Sequence, residues 1–161
     1  MKRIHTATAA MLWLGSATAF ALDESADEAE ILALMDQAFA AVASGDPDDW
    51  RAIQLAEGTT LSFRPDGKGG QSMRLENNEQ AIQQAPTDDV YLERWIGEPT
   101  VMIRGSIAVV WGEYEFFING ERSHCGVDVA DVVKLDGEWK IANFMWTVEP
   151  EGCPQPQEVS D

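Results

Sequence analysis

One acid, one histidine and two cysteines are the residues here whose types and spacing could do chemistry. Asp128 stands in the run Gly126-Val127-Asp128-Val129-Ala130. A carboxyl among apolar neighbours resists ionisation, so its pKa rises, and it can act as a general base or as a protonated hydrogen-bond donor. In a structural role the same group would bond a helix end or a loop amide. His124 and Tyr91 are the side chains available to assist a proton transfer at Asp128. A strand-end ion pair with Glu115 is the competing role for His124.

Much chemistry is excluded by counting. The chain has two histidines and two cysteines. His5 lies in a leader, so a zinc site of ordinary composition would have to consume His124, Cys125 and Cys153 together, and their spacing fits no zinc motif. No metal or other cofactor is expected. There is no G-x-S-x-G elbow for a nucleophilic serine. The glycine-rich stretch Pro65-Asp66-Gly67-Lys68-Gly69-Gly70 fits neither a phosphate loop nor a calcium loop and reads as a hairpin tip.

The leader is residues 1–21: Lys2 and Arg3, an apolar stretch from Ala7 to Phe20, and Ala19-Phe20-Ala21 as a cleavage site. The stretch is too short and too rich in Ala, Thr and Ser to span a bilayer. The expected product is a periplasmic or secreted domain over residues 22–149 with a tail over 150–161. Losing the leader removes two cations and no acid, so the formal charge moves from −17 to −19. That charge repels nucleic acid and anionic headgroups, which excludes nucleic-acid binding and membrane insertion as functions. In an oxidising compartment a Cys125–Cys153 disulfide is expected, holding the tail back over the sheet edge. Such a bridge stabilises by about 3 kcal/mol through chain entropy.

The elements that must position these residues can be read in order. Ser25 and Glu28 form a capping box, and Ile31, Leu34, Met35, Ala38, Phe39 and Val42 then repeat at helical spacing as far as Gly45. Asp46-Pro47 opens a second short helix carrying Trp50, Ile53 and Leu55. Thr59–Phe63 and Gln71–Leu75 form a hairpin, residues 78–84 a third short helix, and residues 88–96 a further turn. From Glu98 to Thr147 the pattern is strand after strand. Asn119-Gly120 and Asp136-Gly137 separate three long runs, and both dipeptides suit type I′ turns. The plan is α+β, with N-terminal helices packed on one face of a curved antiparallel sheet.

Two-residue turns fix register. With regular pairing, Asp128 lies opposite Trp111 and Met145, Ala130 opposite Val109 and Asn143, and His124 opposite Glu115. One face then carries Val109, Trp111, Glu113, His124, Asp128, Ala130, Val132, Trp139, Ile141, Asn143 and Met145, the candidate pocket lining. The other carries Val110, Tyr114, Phe116, Val127, Val129, Phe144, Trp146 and Val148, too apolar to face water. It is the expected homodimer surface, unless the tail covers it. A bulge would shift part of this assignment.

The C-terminal wording resembles a known superfamily. Gly105-Ser106-Ile107-Ala108-Val109-Val110-Trp111, then Gly120 followed by Ser123-His124-Cys125-Gly126-Val127-Asp128, then Gly137-Glu138-Trp139-Lys140-Ile141-Ala142 look like nuclear-transport-factor-2-like proteins. Ketosteroid isomerase, scytalone dehydratase and the polyketide cyclases share that cone-shaped fold. Within it the chain is most similar to exported bacterial proteins of a lumazine-binding-like or uncharacterised branch, over roughly residues 27–149. The resemblance implies a strongly curved sheet closed by helices, with Trp139 and Ile141 marking the concave side. Ala130 departs from the pattern, which usually has a large aromatic residue there, and this implies a locally wider cavity.

Three function classes stay open. The favoured one is a non-catalytic exported module holding a small hydrophobic or aromatic molecule against Trp111, Asp128, Ala130, Asn143, Met145 and Tyr91. The second is an isomerase, dehydratase or cyclase with Asp128 as general base and His124 or Tyr91 assisting. The third is a dimerisation scaffold with a filled cone.

Overall fold

Why the chain folds as it does starts with its first helix. A computed structural model describes residues 17–83 and 88–154, with side chains from residue 24 onward. Helix α1 runs over Ala17–Ser44. Ile31, Leu34, Met35, Ala38 and Ala41 make its buried stripe, the three-and-four spacing that puts one helix face on a core. Ser25 lies inside this helix rather than at its start, so the expected capping box has no free helix amides to satisfy. Gly45, at φ 65°, ends the helix.

Asp46 caps helix α2 (Pro47–Ile53) by accepting from the Asp48 amide. Strands β1 (Gln54–Pro65) and β2 (Gln71–Asn77) form the expected hairpin, longer than the apolar pattern indicated. Helix α3 (Asn78–Ala81) follows at once, with Asn77 and Gln80 closing a capping box. Residues 88–96, expected as a turn, instead contain strand β3 (Tyr91–Trp95). Pairing with a long neighbour decides its conformation, and a five-residue segment carries too little pattern to reveal that. Strands β4 (Thr100–Arg104), β5 (Ile107–Ile118), β6 (Glu121–Leu135) and β7 (Glu138–Thr147) complete the chain.

The seven strands make one open sheet in the order β2-β1-β7-β6-β5-β3, with β4 also pairing β5. Neighbours are antiparallel except β1 and β7, which run parallel. Helix α1 packs against β3, β4 and β7. The core between helices and sheet includes Ile31, Leu34, Met35, Ala38, Ile53, Val110, Val132, Trp139, Ile141 and Phe144. Truncating any of the larger ones to Ala would cost about 2–5 kcal/mol. Asp27 on α1 fastens the helix to the sheet, accepting from Lys134 Nζ at 2.5 Å and Trp139 Nε1 at 3.1 Å. Among the described residues no helix is long and apolar enough to cross a membrane.

Both tight turns form as read, with positive φ at Asn119, Gly120, Asp136 and Gly137. The strands leaving them do not pair regularly. Ser123 is an extra residue on β6, so beyond it Phe116 faces His124, Tyr114 faces Gly126 and Gly112 faces Asp128. Ala142 is an extra residue on β7, so Asp131 faces Asn143, Ala130 faces Phe144 and Asp128 faces Trp146. Each bulge exchanges the faces of everything beyond it on the bulged strand relative to its partner.

The consequence is a corrected pair of faces. Asp128, Ala130, Val132, His124, Trp139 and Ile141 remain on the helix-covered, concave side, joined by Val110, Tyr114, Phe116, Phe144 and Trp146. Val109, Trp111, Glu113, Asn143 and Met145 lie on the convex side; Trp111 is 44% and Met145 42% exposed. The second bulge is built in. Gly58 passes so close to the Ala142 carbonyl that any Cβ would collide with it, and Asn78 Nδ2 donates to that carbonyl at 3.2 Å.

Candidate site on the concave face

Asp128 is fully buried, and neither carboxyl oxygen has a hydrogen-bond partner among the described residues. Three elements meet at it. Gly112 lies opposite on β5, and its missing side chain leaves the space that the Trp95 ring occupies. Trp146 lies opposite on β7. Glu93 enters from β3, opposite Phe116, and is also buried. Burial and the neighbouring Glu93 charge raise the Asp128 pKa well above the carboxylate range. Burial pushes Glu93 up to about 7. Two buried acids this close cannot both ionise, so the pair holds at least one proton in the neutral range.

The surroundings are aromatic and nearly devoid of free donors. The Tyr114 hydroxyl is committed to the Thr147 carbonyl at 2.7 Å, and its pKa is raised by burial and then by Asp128 and Glu93. His124 stacks on Phe116 with ring centroids 4.9 Å apart and meets Tyr114 edge-on at 5.8 Å. Burial, and to a lesser extent Arg64, lowers its pKa, so the neutral imidazole is favoured. Tyr91 lies 5.6 Å from Phe116 at the sheet edge. Arg64, exposed on β1, reaches Ser62 Oγ at 3.4 Å.

The expected site residues therefore divide. Asp128, Ala130, His124 and Tyr91 share the concave face; Trp111, Asn143 and Met145 do not. Asn143 instead ties convex-side elements together, donating to Asp131 at 3.1 Å and accepting from the Thr59 hydroxyl at 2.7 Å. The expected His124–Glu115 pair does not form. Glu115 faces the other way, onto Cys125, and binds Arg94 at 2.6 Å and Arg122 at 3.3 Å. Beside that cluster the Cys125–Cys153 disulfide closes as expected. Cys125 pairs with Glu149, one residue beyond its expected partner because of the Ala142 bulge.

Glu93 was missed altogether in the sequence. The signal that could have found it is the alternation Tyr91, Glu93, Trp95, which sets two aromatics and an acid on one face of a strand. Tyr114 and Trp146 were visible but assigned to the wrong face. Among the described residues no cluster of His, Cys, Asp and Glu is arranged to hold a metal ion.

No family model and no curated protein matches the chain. Solved structures do. A nuclear-transport-factor-2-like protein with a cystatin-like fold from Novosphingobium aromaticivorans superposes with TM-score 0.62 at 13% identity, covering 84% of this chain and 90% of that one. A nuclear transport factor 2-like superfamily protein from Salmonella enterica gives 0.60 at 13% identity, covering 86% and 99%. A protein of unknown function with a cystatin-like fold from Nostoc punctiforme gives 0.59 at 13% identity, covering 78% and 92%. At these identities it is the fold alone that is shared. The chain has the nuclear-transport-factor-2-like fold.

Proposed function

We propose that this protein is an exported, non-catalytic receptor for a small apolar or aromatic molecule, held on the concave face with Asp128 as its polar anchor. The observation that carries the reading is the buried, unpartnered Asp128 carboxyl among Trp95, Tyr114, Phe144 and Trp146. Buried acceptors are ordinarily satisfied, and a few polar groups in an aromatic lining are how small-molecule sites fix orientation. The disulfide and the leader-like residues 1–21 support export to the periplasm or beyond. A second reading has one specific observation in its favour. Glu93 near neutrality is matched to proton transfer at physiological pH, as an isomerase or dehydratase using Asp128 as general base would require.

The protein also fits a homodimer through its convex face. The corrected register moves Phe116 and Trp146 off that surface and puts Phe63, Met73, Leu75, Trp111 and Met145 on it, all exposed. Native mass spectrometry of the protein purified from its exported compartment tests the receptor reading. Wild type should carry a non-covalent small molecule that Asp128→Asn loses. A wild type that is consistently empty overturns the receptor, and conversion of the bound molecule by wild type alone moves the assignment to the enzyme.

A further inference from the structure

We propose that the Glu93–Asp128 pair is a recognition site for a protonated amine, carried on an aromatic or apolar ligand whose body rests on the aromatic lip of the concave face. The proposal rests on the receptor reading above and adds the class of ligand.

The argument is one of missing charge. Among the described residues, no nearby cation or hydroxyl bonds Asp128. Tyr114 Oη donates to Thr147. Trp139 Nε1 and Lys134 serve Asp27, at the far end of the helix–sheet interface. Arg94 and Arg122 bind Glu115 on the opposite face. Arg64 is exposed and bonds Ser62. Apart from a proton shared with Glu93, Asp128 thus has no donor for its two oxygens among the described residues. An ammonium group carries three donors and no acceptor, so it can satisfy Asp128 and Glu93 together. A neutral hydroxyl brings one donor and leaves the remaining acceptors short.

The walls suit the same ligand. Trp95 fills the space above Gly112 on one side of Asp128, and Trp146 lies across from it on the other. Aromatic faces attract cations through the ring quadrupole. The lip is also aromatic: Tyr91, Phe116 and His124 are all partly exposed. His124 lies four residues from Asp128 along the same face of β6, about 13 Å away, so a ligand anchored at the pair extends toward the lip along the strand. The strongly acidic surface favours the approach of a cation over that of an anion.

Calorimetry at pH 7 with three probes of one shape tests this: 2-phenylethylamine, 2-phenylethanol and phenylacetate. The amine should bind at least tenfold more tightly than the alcohol, and phenylacetate should give no heat. Glu93→Gln and Asp128→Asn should each weaken the amine tenfold or more. Glu93→Gln keeps the test decisive if the Asp128 variant does not fold. Amine binding that is unchanged in a folded variant marks attraction to the acidic surface and overturns the proposal. Equal binding of amine and alcohol overturns the amine while leaving a receptor. Silence from all three overturns the amine site, and a native ligand seen by mass spectrometry would then be of another class.

Discussion

Asp27 and Asp128 are the same side chain at opposite ends of one interface, and their surroundings give them opposite properties. Asp27 accepts from Lys134 and Trp139, and the Lys134 bond holds its pKa below the ordinary value. Its stabilising contribution is present above the unfolded pKa of 3.8 and is lost as pH falls through the folded value. Asp128 and Glu93 behave in the reverse sense. Their folded pKa values are raised, so the native state binds more protons than the unfolded chain between the unfolded values and about 7. Stability must therefore fall as pH rises through that window. Thermal melts should show wild type losing stability between pH 4.5 and 7 more steeply than Glu93→Gln, with the variant ahead by about 1–3 kcal/mol at pH 8. Parallel curves for the two proteins would mean that the pair ionises freely.

At the scale of elements, most of the order was legible and the pairing was not. Helical spacing in Ile31–Ala41 and the two turn dipeptides each reflect a local rule, and local rules are written in neighbouring residues. A bulge has no such signature. Ser123 and Ala142 are ordinary strand residues, and what makes Ala142 a bulge is Gly58 and Asn78, which stand far away in the chain. One unpaired residue reverses every side chain past it. The sequence reading thus put Asp128 on the concave face, where it lies, but surrounded it with Trp111 and Met145 in place of Trp95, Tyr114 and Trp146. Glu93 escaped because β3 is short and takes its conformation from β5. The Cys125–Cys153 bridge could be expected because a one-residue slip leaves Cys125 opposite the segment just past the end of β7 either way.

For the whole molecule the two faces of the sheet now have distinct work. The concave face is closed by α1 and lined with aromatics around two acids. The convex face presents Phe63, Met73, Leu75, Trp111 and Met145, apolar side chains of the kind that mark interaction surfaces when they lie together. Isologous pairing of two such bands gives a closed dimer and leaves both concave sites free. Sedimentation should give twice the chain mass for wild type and a monomer for Trp111→Glu combined with Met145→Glu. An unchanged mass in the variant would place the contact elsewhere. The disulfide-anchored tail, which reaches Arg122 through the Pro154 carbonyl at 2.7 Å, borders this surface.

Everything proposed for the concave face depends on Glu93 and Asp128 being a coupled, partly protonated pair. Carbon-detected NMR of the side-chain carboxyls, followed from pH 4 to 9 in wild type and in Glu93→Gln, reads that state directly. The Glu93 carbon should titrate near 7, the Asp128 carbon should remain protonated above the carboxylate range, and removing the Glu93 charge should shift the Asp128 curve downward. Two carboxyls titrating independently at or below 4.5, unaffected by one another's substitution, would contradict the account.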